Sequence, residues 1–389
     1  MALFDKQLEL ITEDDLGTLI DDQVREGYQI EYKRSVAFRD KQDKLDFLAS
    51  VTSFANSVGG DLLIGVAAAS GVPTSINGWE GVDVDLEKQR IENVLRNQVE
   101  PRLGFRVHEV RLRNGNAVLL LRVPWSWAQP HMVRMDETNR FYYRHSAGKD
   151  VMNVQQLRAA FALSTRLDEQ IAAFRRERVA AIKAGTDGHL SLPPGPTLIV
   201  HTVPFESFRS GFTLDLEAAM KCAVGRLLPL GTGSNLHAYN LEGICCADDP
   251  PSCNAYTQVF RNAAIESTNR GLLVNRTGRR LIPCGAVPRD ALAHVQSVIG
   301  FYRALNVSPP AVVMLSIVGV QEYEFAVSTE MGVGYYARTV GREDLLLPEV
   351  LIQDFTTSPV DLCRPLFDAL YNAAGYAKWP EYEQYKQRE

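Results

Sequence analysis

Phe54-Ala55-Asn56-Ser57-Val58-Gly59-Gly60-Asp61-Leu62-Leu63-Ile64-Gly65-Val66 decides how the first half of this 389-residue chain is built. Phe47, Leu48, Val51, Phe54, Ala55 and Val58 recur at helical spacing and lead into it. Gly59-Gly60 supplies a stop that tolerates positive φ. The apolar run Leu62–Val66 then reads as a buried strand. A helix delivered by a glycine pair into a buried strand points to mixed α and β layers around one core.

Working outward, Gly27 precedes Tyr28-Gln29-Ile30-Glu31-Tyr32-Lys33, a period-two alternation with Tyr28, Ile30 and Tyr32 on one face and Gln29, Glu31 and Lys33 on the other. It predicts a half-buried strand with a polar outer face. A second helix is expected over 86–97, then strands over 105–112 and 117–123 joined at Asn114-Gly115, a hairpin turn signal. Trp125 and Trp127 precede a strand over 140–144, and a helix from Val154 to about Lys183 closes the region. Its Arg175-Arg176-Glu177-Arg178 cluster reads as a solvated face. Three Gly and three Pro fall within residues 185–196, which marks a linker. Beyond it, a strand over 197–202, helices over 214–227, 291–305 and 362–374, and an apolar strand over 311–320 predict a second α/β or α+β domain. The expected order is an acidic segment 1–22, a domain 23–184, the linker, and an accessory or regulatory domain 197–389.

The composition, 46% hydrophobic and 23% charged, is that of an ordinary globular protein. The chain has no run of eighteen apolar residues, so no membrane helix and no membrane partner are expected. Residues 1–22 carry seven acids and one Lys, which fits neither a secretory signal nor a basic transit peptide. The six cysteines are then expected as reduced thiols of a cytoplasmic protein. Cys245-Cys246 and Cys253 lack Cys-x-x-Cys spacing, so no zinc is expected. The net charge of −6 argues against nucleic acid when taken whole, yet it is uneven. Residues 23–196 hold 24 basic against 20 acidic residues, and their neighbours on both sides are acidic. A basic groove is expected on the first domain.

The candidate chemistry lies at Glu26-Gly27-Tyr28-Gln29-Ile30-Glu31-Tyr32-Lys33-Arg34. Glu31 and Lys33 share a strand face, and a turn at Gly27 would bring Glu26 round to them. Two carboxylates with a lysine suit Mg²⁺ or Mn²⁺ and an attacked phosphate. Arg34, Arg39, Lys41 and Lys44 follow as a basic run, and Arg140, Tyr142 and Arg144 share a face that would set a stacking ring between two phosphate-pairing groups.

These pieces together resemble the Schlafen AlbA-type domain: Glu-x-x-x-x-Glu-Tyr-Lys-Arg, an amphipathic helix, the 54–66 stretch, then Val123-Pro124, Gln129-Pro130-His131 and Phe141-Tyr142-Tyr143-Arg144-x-Ser146, over about residues 20–160. The resemblance implies a mixed-sheet α+β fold that binds RNA or DNA. In vertebrate Schlafen proteins it also implies a metal-dependent endoribonuclease that acts on tRNA-like substrates with two glutamates and an aspartate, and it suggests a role in antiviral defence. The glutamates correspond to Glu26 and Glu31. The aspartate's place after the Gly-Val strand holds Ala67, Ala68 and Ala69, which leaves Asp61 as the substitute. The catalytic set implied is Glu26, Glu31, Lys33 and Asp61, with Glu26 and Glu31 on the metal. Some bacterial domains of this type are labelled divergent ATPases, but no Gly-x-x-x-x-Gly-Lys-Ser/Thr loop is present, so no nucleotide cofactor is expected.

Residues 197–389 resemble the carboxy-terminal region that accompanies this domain in bacterial proteins, through Val259-Phe260-Arg261-Asn262, Ile265-Glu266 and the stretch 362–368. A homo-oligomer or protein contact is their expected role. Beside the nucleic-acid enzyme stand two other classes: a non-catalytic DNA-binding regulator, and an interaction subunit built on a degenerate scaffold.

Overall fold

A computed structural model describes residues 3, 6, 8–38, 40–135, 138–146, 148–186, 192–209, 211–233, 236–248, 253–273, 278–329 and 332–388. Arg39 and residues 187–191 of the expected linker lie outside them. The chain divides into two compact units, Met1–Arg166 and Leu167–Glu389. The division falls inside a helix rather than at the Gly/Pro-rich stretch, because the C-terminal part of that helix buries its apolar side within the second unit.

In chain order the first unit runs α1 (Glu13–Asp21), β1 (Ile30–Lys33), α2 (Lys41–Ala55), β2 (Gly60–Ile64), β3 (Val66–Ala69), β4 (Val72–Ile76), α3 (Val84–Gln98), β5 (Val99–Glu100), β6 (Arg106–Arg111), β7 (Ala117–Val123), β8 (Met132–Met135), β9 (Thr138–His145) and β10 (Gly148–Val151), then enters α4 (Val154–Ala184). One sheet has the order β1-β2-β7-β6, with β1 and β2 parallel and the rest antiparallel; a second has the order β10-β9-β8-β5. Helix α2 packs on β2 and β7 of the first sheet and on β8, β9 and β10 of the second. With both sides covered, it is buried continuously from Phe47 to Ala55.

The glycine pair follows from this packing. Gly59, three residues past the α2 cap Asn56, turns the chain at φ +76 and donates its N–H to the Phe54 carbonyl at 2.9 Å. A Cβ at Gly60 would lie 2.2 Å from the Phe54 ring and 2.8 Å from the Gln29 carbonyl, so the start of β2 can approach α2 only without a side chain. Asn56, just past the helix, donates from Nδ2 to the carbonyls of His131 (3.0 Å) and Tyr142 (2.9 Å) and accepts the His131 N–H at 2.7 Å. Ser57 Oγ accepts the Arg144 N–H at 2.7 Å. Two motif residues thus join α2 to the second sheet.

The acidic amino-terminal segment is not a solvated tail. Leu8, Ile11, Leu16 and Leu19 are buried with Tyr32, Leu63 and Leu120 on the sheet face away from α2. Two of its acids make specific contacts: Asp15 caps α1 with Thr12 and pairs with Lys6 at 2.6 Å, and Asp14 pairs with Arg113 at 2.6 Å.

The second unit contains the C-terminal part of α4, then β11 (Thr197–Pro204), α5 (Leu216–Ala223), β12 (Leu236–Tyr239), β13 (Gly243–Ala247), β14 (Ala255–Phe260), β15 (Ile265–Asn269), β16 (Leu281–Pro283), α6 (Ala286–Ala304), β17 (Ala311–Val318), β18 (Glu324–Thr329), β19 (Gly332–Thr339), β20 (Leu345–Leu346), β21 (Val350–Ile352), α7 (Pro359–Ala373) and α8 (Tyr382–Lys386). Its main sheet runs β12-β13-β14-β15-β11-β17-β20, with β21 also on β17, and every pairing is antiparallel. A main sheet whose pairings are all antiparallel makes this unit α+β rather than α/β. Residues of α5, α6 and α7 share the larger core, while Val179 and Ile182 of α4 cover Ile199, Cys245 and Tyr256.

Candidate functional site

Strand β1 pairs Ile30 with Asp61, Glu31 with Leu62 and Lys33 with Ile64. Neighbouring residues on paired strands project to the same side, so Glu31 and Lys33 point with Leu62 and Ile64 toward α2. The polar face of β1 is therefore an inner face. Glu31 is 6% exposed.

Four elements bring partners to that carboxylate. From α2, Ser50 Oγ lies 2.7 Å from Glu31 Oε1, and Asp46, one turn earlier, stands on the same helix face. Arg144 of β9 and Lys149 of β10 are register partners and project together. Arg144 donates from NH1 to Glu31 Oε2 at 2.6 Å and from Nε to the Gly27 carbonyl at 2.6 Å, with its guanidinium 4.1 Å from the Phe54 ring centre. Lys149 Nζ lies 3.3 Å from Glu31 Oε1, 2.9 Å from Ser50 Oγ and 2.8 Å from Asp46 Oδ1. Lys33 reaches the same Glu31 oxygen at 3.3 Å and also pairs with Asp46.

Two carboxylates thus meet three cations, which leaves one positive charge in excess. Burial alone would raise the Glu31 carboxyl, but the charges of Lys149, Arg144 and Lys33 outweigh it and hold the group at about 2. Burial likewise opposes the charged forms of Asp46 and Lys33, yet the lysines lower the former and the carboxylates raise the latter. The side chains of Lys33 (17%), Lys149 (21%) and Asp46 (44%) keep contact with solvent, so the cluster has a closed floor and an open rim.

The other expected residues are placed differently. Gly27 does turn, its N–H donating to Ile30 O, but Glu26 comes round onto the Tyr32 N–H at 2.8 Å rather than into the Glu31 cluster. Asp61 points with Leu63 to the opposite face of the sheet from Glu31. There Arg122 grips it with two hydrogen bonds of 2.8 and 2.7 Å. Burial pushes the Asp61 carboxyl up, and Arg122 offsets part of the rise. Asp61 is a structural anion under the amino-terminal segment and cannot replace the missing third acid.

Glu26, Glu31 and Asp61 therefore do not fit a divalent metal. A cation needs carboxylate oxygens free to coordinate it. The Glu31 oxygens are saturated by three positive groups and a hydroxyl, Glu26 is tied to a backbone N–H, and Asp61 is paired elsewhere. Among the described residues no group of three His, Cys, Asp or Glu side chains could hold a metal ion.

Of the residues assigned to nucleic acid, Arg34, Lys41 and Arg140 are exposed and Lys44 is half-buried. Tyr142 is 7% exposed and belongs to the core beside Phe54, so it offers no stacking face. Arg144 is 4% exposed and consumed by Glu31 and two carbonyls; it is a floor residue, not a phosphate contact. The shared face of 140, 142 and 144 is real, but it turns inward after its first residue. Asp46, Ser50 and Lys149 carried no sequence signal. An acid and a hydroxyl four apart on an apolar helix, aligned with the β1 glutamate, is the pattern that could have revealed the first two.

Residues 26–153 match the family described as Schlafen, AlbA_2. The chain is also similar to a solved structure, the N-terminal domain of a putative ATP-dependent DNA helicase RecG-related protein from Nitrosomonas europaea, at 22% identity. That match covers 35% of this chain and 92% of the other, with a TM-score of 0.27. No curated protein matches the chain.

Proposed function

We propose, on the premise that residues 26–153 form a Schlafen AlbA_2 domain, that the first unit binds nucleic acid through its phosphate backbone and does not cut it. The observation that carries this reading is the excess cation at the Glu31 cluster, whose two lysines sit at an open rim. Arg34 directly follows β1, Lys41 begins α2 and Arg140 precedes the buried part of β9; all three are exposed and add to the same electrostatic attraction. A metal-dependent endoribonuclease would need a donor set that this unit spends on internal ion pairs. Five of the six cysteines are buried, which suits thiols of a reducing compartment, and we place the protein in the cytoplasm.

The test is a fluorescence-anisotropy titration of the full chain with labelled structured RNA and with duplex DNA from 50 to 200 mM salt. Binding should weaken steeply with salt, and Arg34→Ala/Arg140→Ala should lower the log–log slope by about 2. Added Mn²⁺ should leave the RNA intact. Absence of binding at low salt overturns the proposal, and Mn²⁺-dependent cleavage lost in Glu31→Ala restores the enzymatic reading. Tighter retention of duplex DNA than of RNA would identify a DNA-binding regulator within the same proposal.

A further inference from the structure

The two carboxylates of the Glu31 cluster are held in unlike ways. Glu31 lies at the floor with 8% of its side chain exposed, fixed by Ser50 and three cations. Asp46 lies at the rim with 44% exposed, and among the described residues its carboxylate bonds to the two lysines alone: Oδ1 is 2.8 Å from Lys149 Nζ, and Oδ2 pairs with Lys33 Nζ. One carboxylate therefore bridges two ammoniums, one oxygen to each. A phosphodiester offers the same charge and the same pair of acceptors, in its two non-bridging oxygens. Donor counting makes Asp46 the exchangeable acid. An ammonium has three donors, and Lys149 directs them at Glu31, Ser50 and Asp46. Lys33 contacts Glu31 and Asp46 among the described residues, which leaves it a third donor for a ligand. If Asp46 swings out, Glu31 and Ser50 still fix Lys149, and Glu31 still fixes Lys33. Release of Asp46 into water costs little, because partly exposed ion pairs contribute little. Glu31 cannot make the same exchange, since its departure would strand the Arg144 side chain, which is 2% exposed.

We infer that Asp46 occupies the seat of a backbone phosphate: on binding, a phosphodiester of the nucleic acid takes over the two lysine bonds that Asp46 gives up, so the acid is an internal competitor that sets affinity. The inference rests on the nucleic-acid reading above and names the residue that limits it. The exchange is charge for charge. Glu31 and the phosphate together face Arg144, Lys33 and Lys149, and the cluster keeps its single positive excess with the strand in place. The ligand also meets the donor of Lys33 that Asp46 leaves unused.

The experiment compares the anisotropy titration of the full chain with labelled structured RNA, at one fixed salt concentration, for the wild type, Asp46→Asn and Asp46→Ala. Both variants should bind about three- to fivefold more tightly than the wild type. A gain of this kind cannot come from a chain that fails to fold. Asp43→Asn is the control: Asp43 lies one turn earlier on α2, is exposed and has no ion pair among the described residues, so the same change of charge there should alter affinity by about twofold at most. In a Lys149→Ala background, Asp46→Asn should gain about twofold or less, because one of the two bonds it frees is already gone. Affinity that stays level or falls in both Asp46 variants, with urea midpoints matching the wild type, overturns the exchange but leaves phosphate binding standing. An equal gain in Asp43→Asn, or an undiminished gain in the Lys149→Ala background, also overturns it, since relief of general repulsion then accounts for the effect. Failure of the wild type and of every variant to bind RNA or duplex DNA at low salt overturns both.

Discussion

Each unit buries one glutamate under an arginine stacked on a phenylalanine, and the two clusters differ in how the charge is balanced. In the second unit Glu266 is 0% exposed; Arg178 grips it by a two-point fork of 2.8 and 2.7 Å, while His201 Nε2 (3.0 Å) and Tyr256 OH (2.8 Å) complete it. Arg178 lies 5.1 Å from the Phe260 ring centre, much as Arg144 lies over Phe54. Glu266 meets one permanently charged partner, whereas Glu31 shares three cations with Asp46 and retains an excess charge beside solvent. The same local motif is therefore a closed staple in one unit and the floor of an open cationic site in the other. Ion pairing alone does not distinguish the two clusters; the surplus charge and its access to solvent do.

The comparison breaks first on the arginines. Arg178→Met strands a fully buried carboxylate and should cost the second unit about 3 to 5 kcal/mol in urea denaturation. The matched Arg144→Met should cost the first unit less, about 2 kcal/mol, because Lys33 and Lys149 still neutralise Glu31. Equal losses would mean that the lysines contribute nothing to holding Glu31.

Acid sharpens the same point. Burial raises both carboxyls, but Lys149, Arg144 and Lys33 hold Glu31 at about 2, and Arg178 and His201 hold Glu266 at about 2, against 4.5 for a free glutamate. Folded-state values below the unfolded value mean stability that is fully present above about 4.5 and is lost as pH falls through 2. The loss should be on the order of 3 kcal/mol per carboxyl, and denaturation curves between pH 5 and 2 should flatten for Glu31→Gln and for Glu266→Gln, each in its own unit. A variant as acid-sensitive as the wild type would show that its carboxyl is not the group being titrated.

The fold was legible where glycine and apolar spacing act through hard sterics, as at Gly60, whose missing Cβ is required by Phe54. Helices α2, α3, α6 and α7 and the β6–β7 hairpin follow from periodicity that packing then respects. The antiparallel order of the second unit's main sheet did not follow, since its central strands β11 and β17 are buried along their whole length, carry no alternation, and pair across a long separation. The site was half legible. Alternation told which residues share a face, as with Glu31 and Lys33 or Tyr142 and Arg144, but not which face looks at water. For the same reason the Arg175–Arg178 cluster read as solvated, although Arg175 binds the carbonyls of Leu315 (2.7 Å) and Leu347 (2.9 Å) and Arg178 grips Glu266. Lys149 lies more than a hundred residues from Glu31, in a four-residue strand, and only tertiary structure joins them.

Lys149 provides the smallest effect on stability and the most direct test of the surplus charge. Its ammonium is one of three cations on Glu31 and one of two on Asp46, so Lys149→Ala should cost less than about 1 kcal/mol, the range of partly exposed ion pairs. It nonetheless removes the entire excess positive charge and leaves two carboxylates against two cations. If the rim meets phosphate, the salt dependence of nucleic-acid binding should fall by about one counterion, and affinity should drop alike for every sequence. Lys183→Ala, at an exposed pair with Glu343 (2.7 Å) in the second unit, is the matched control and should leave the slope unchanged. A Lys149→Ala slope equal to that of the wild type would make the Glu31 cluster a staple like Glu266, and the comparison between the units would collapse.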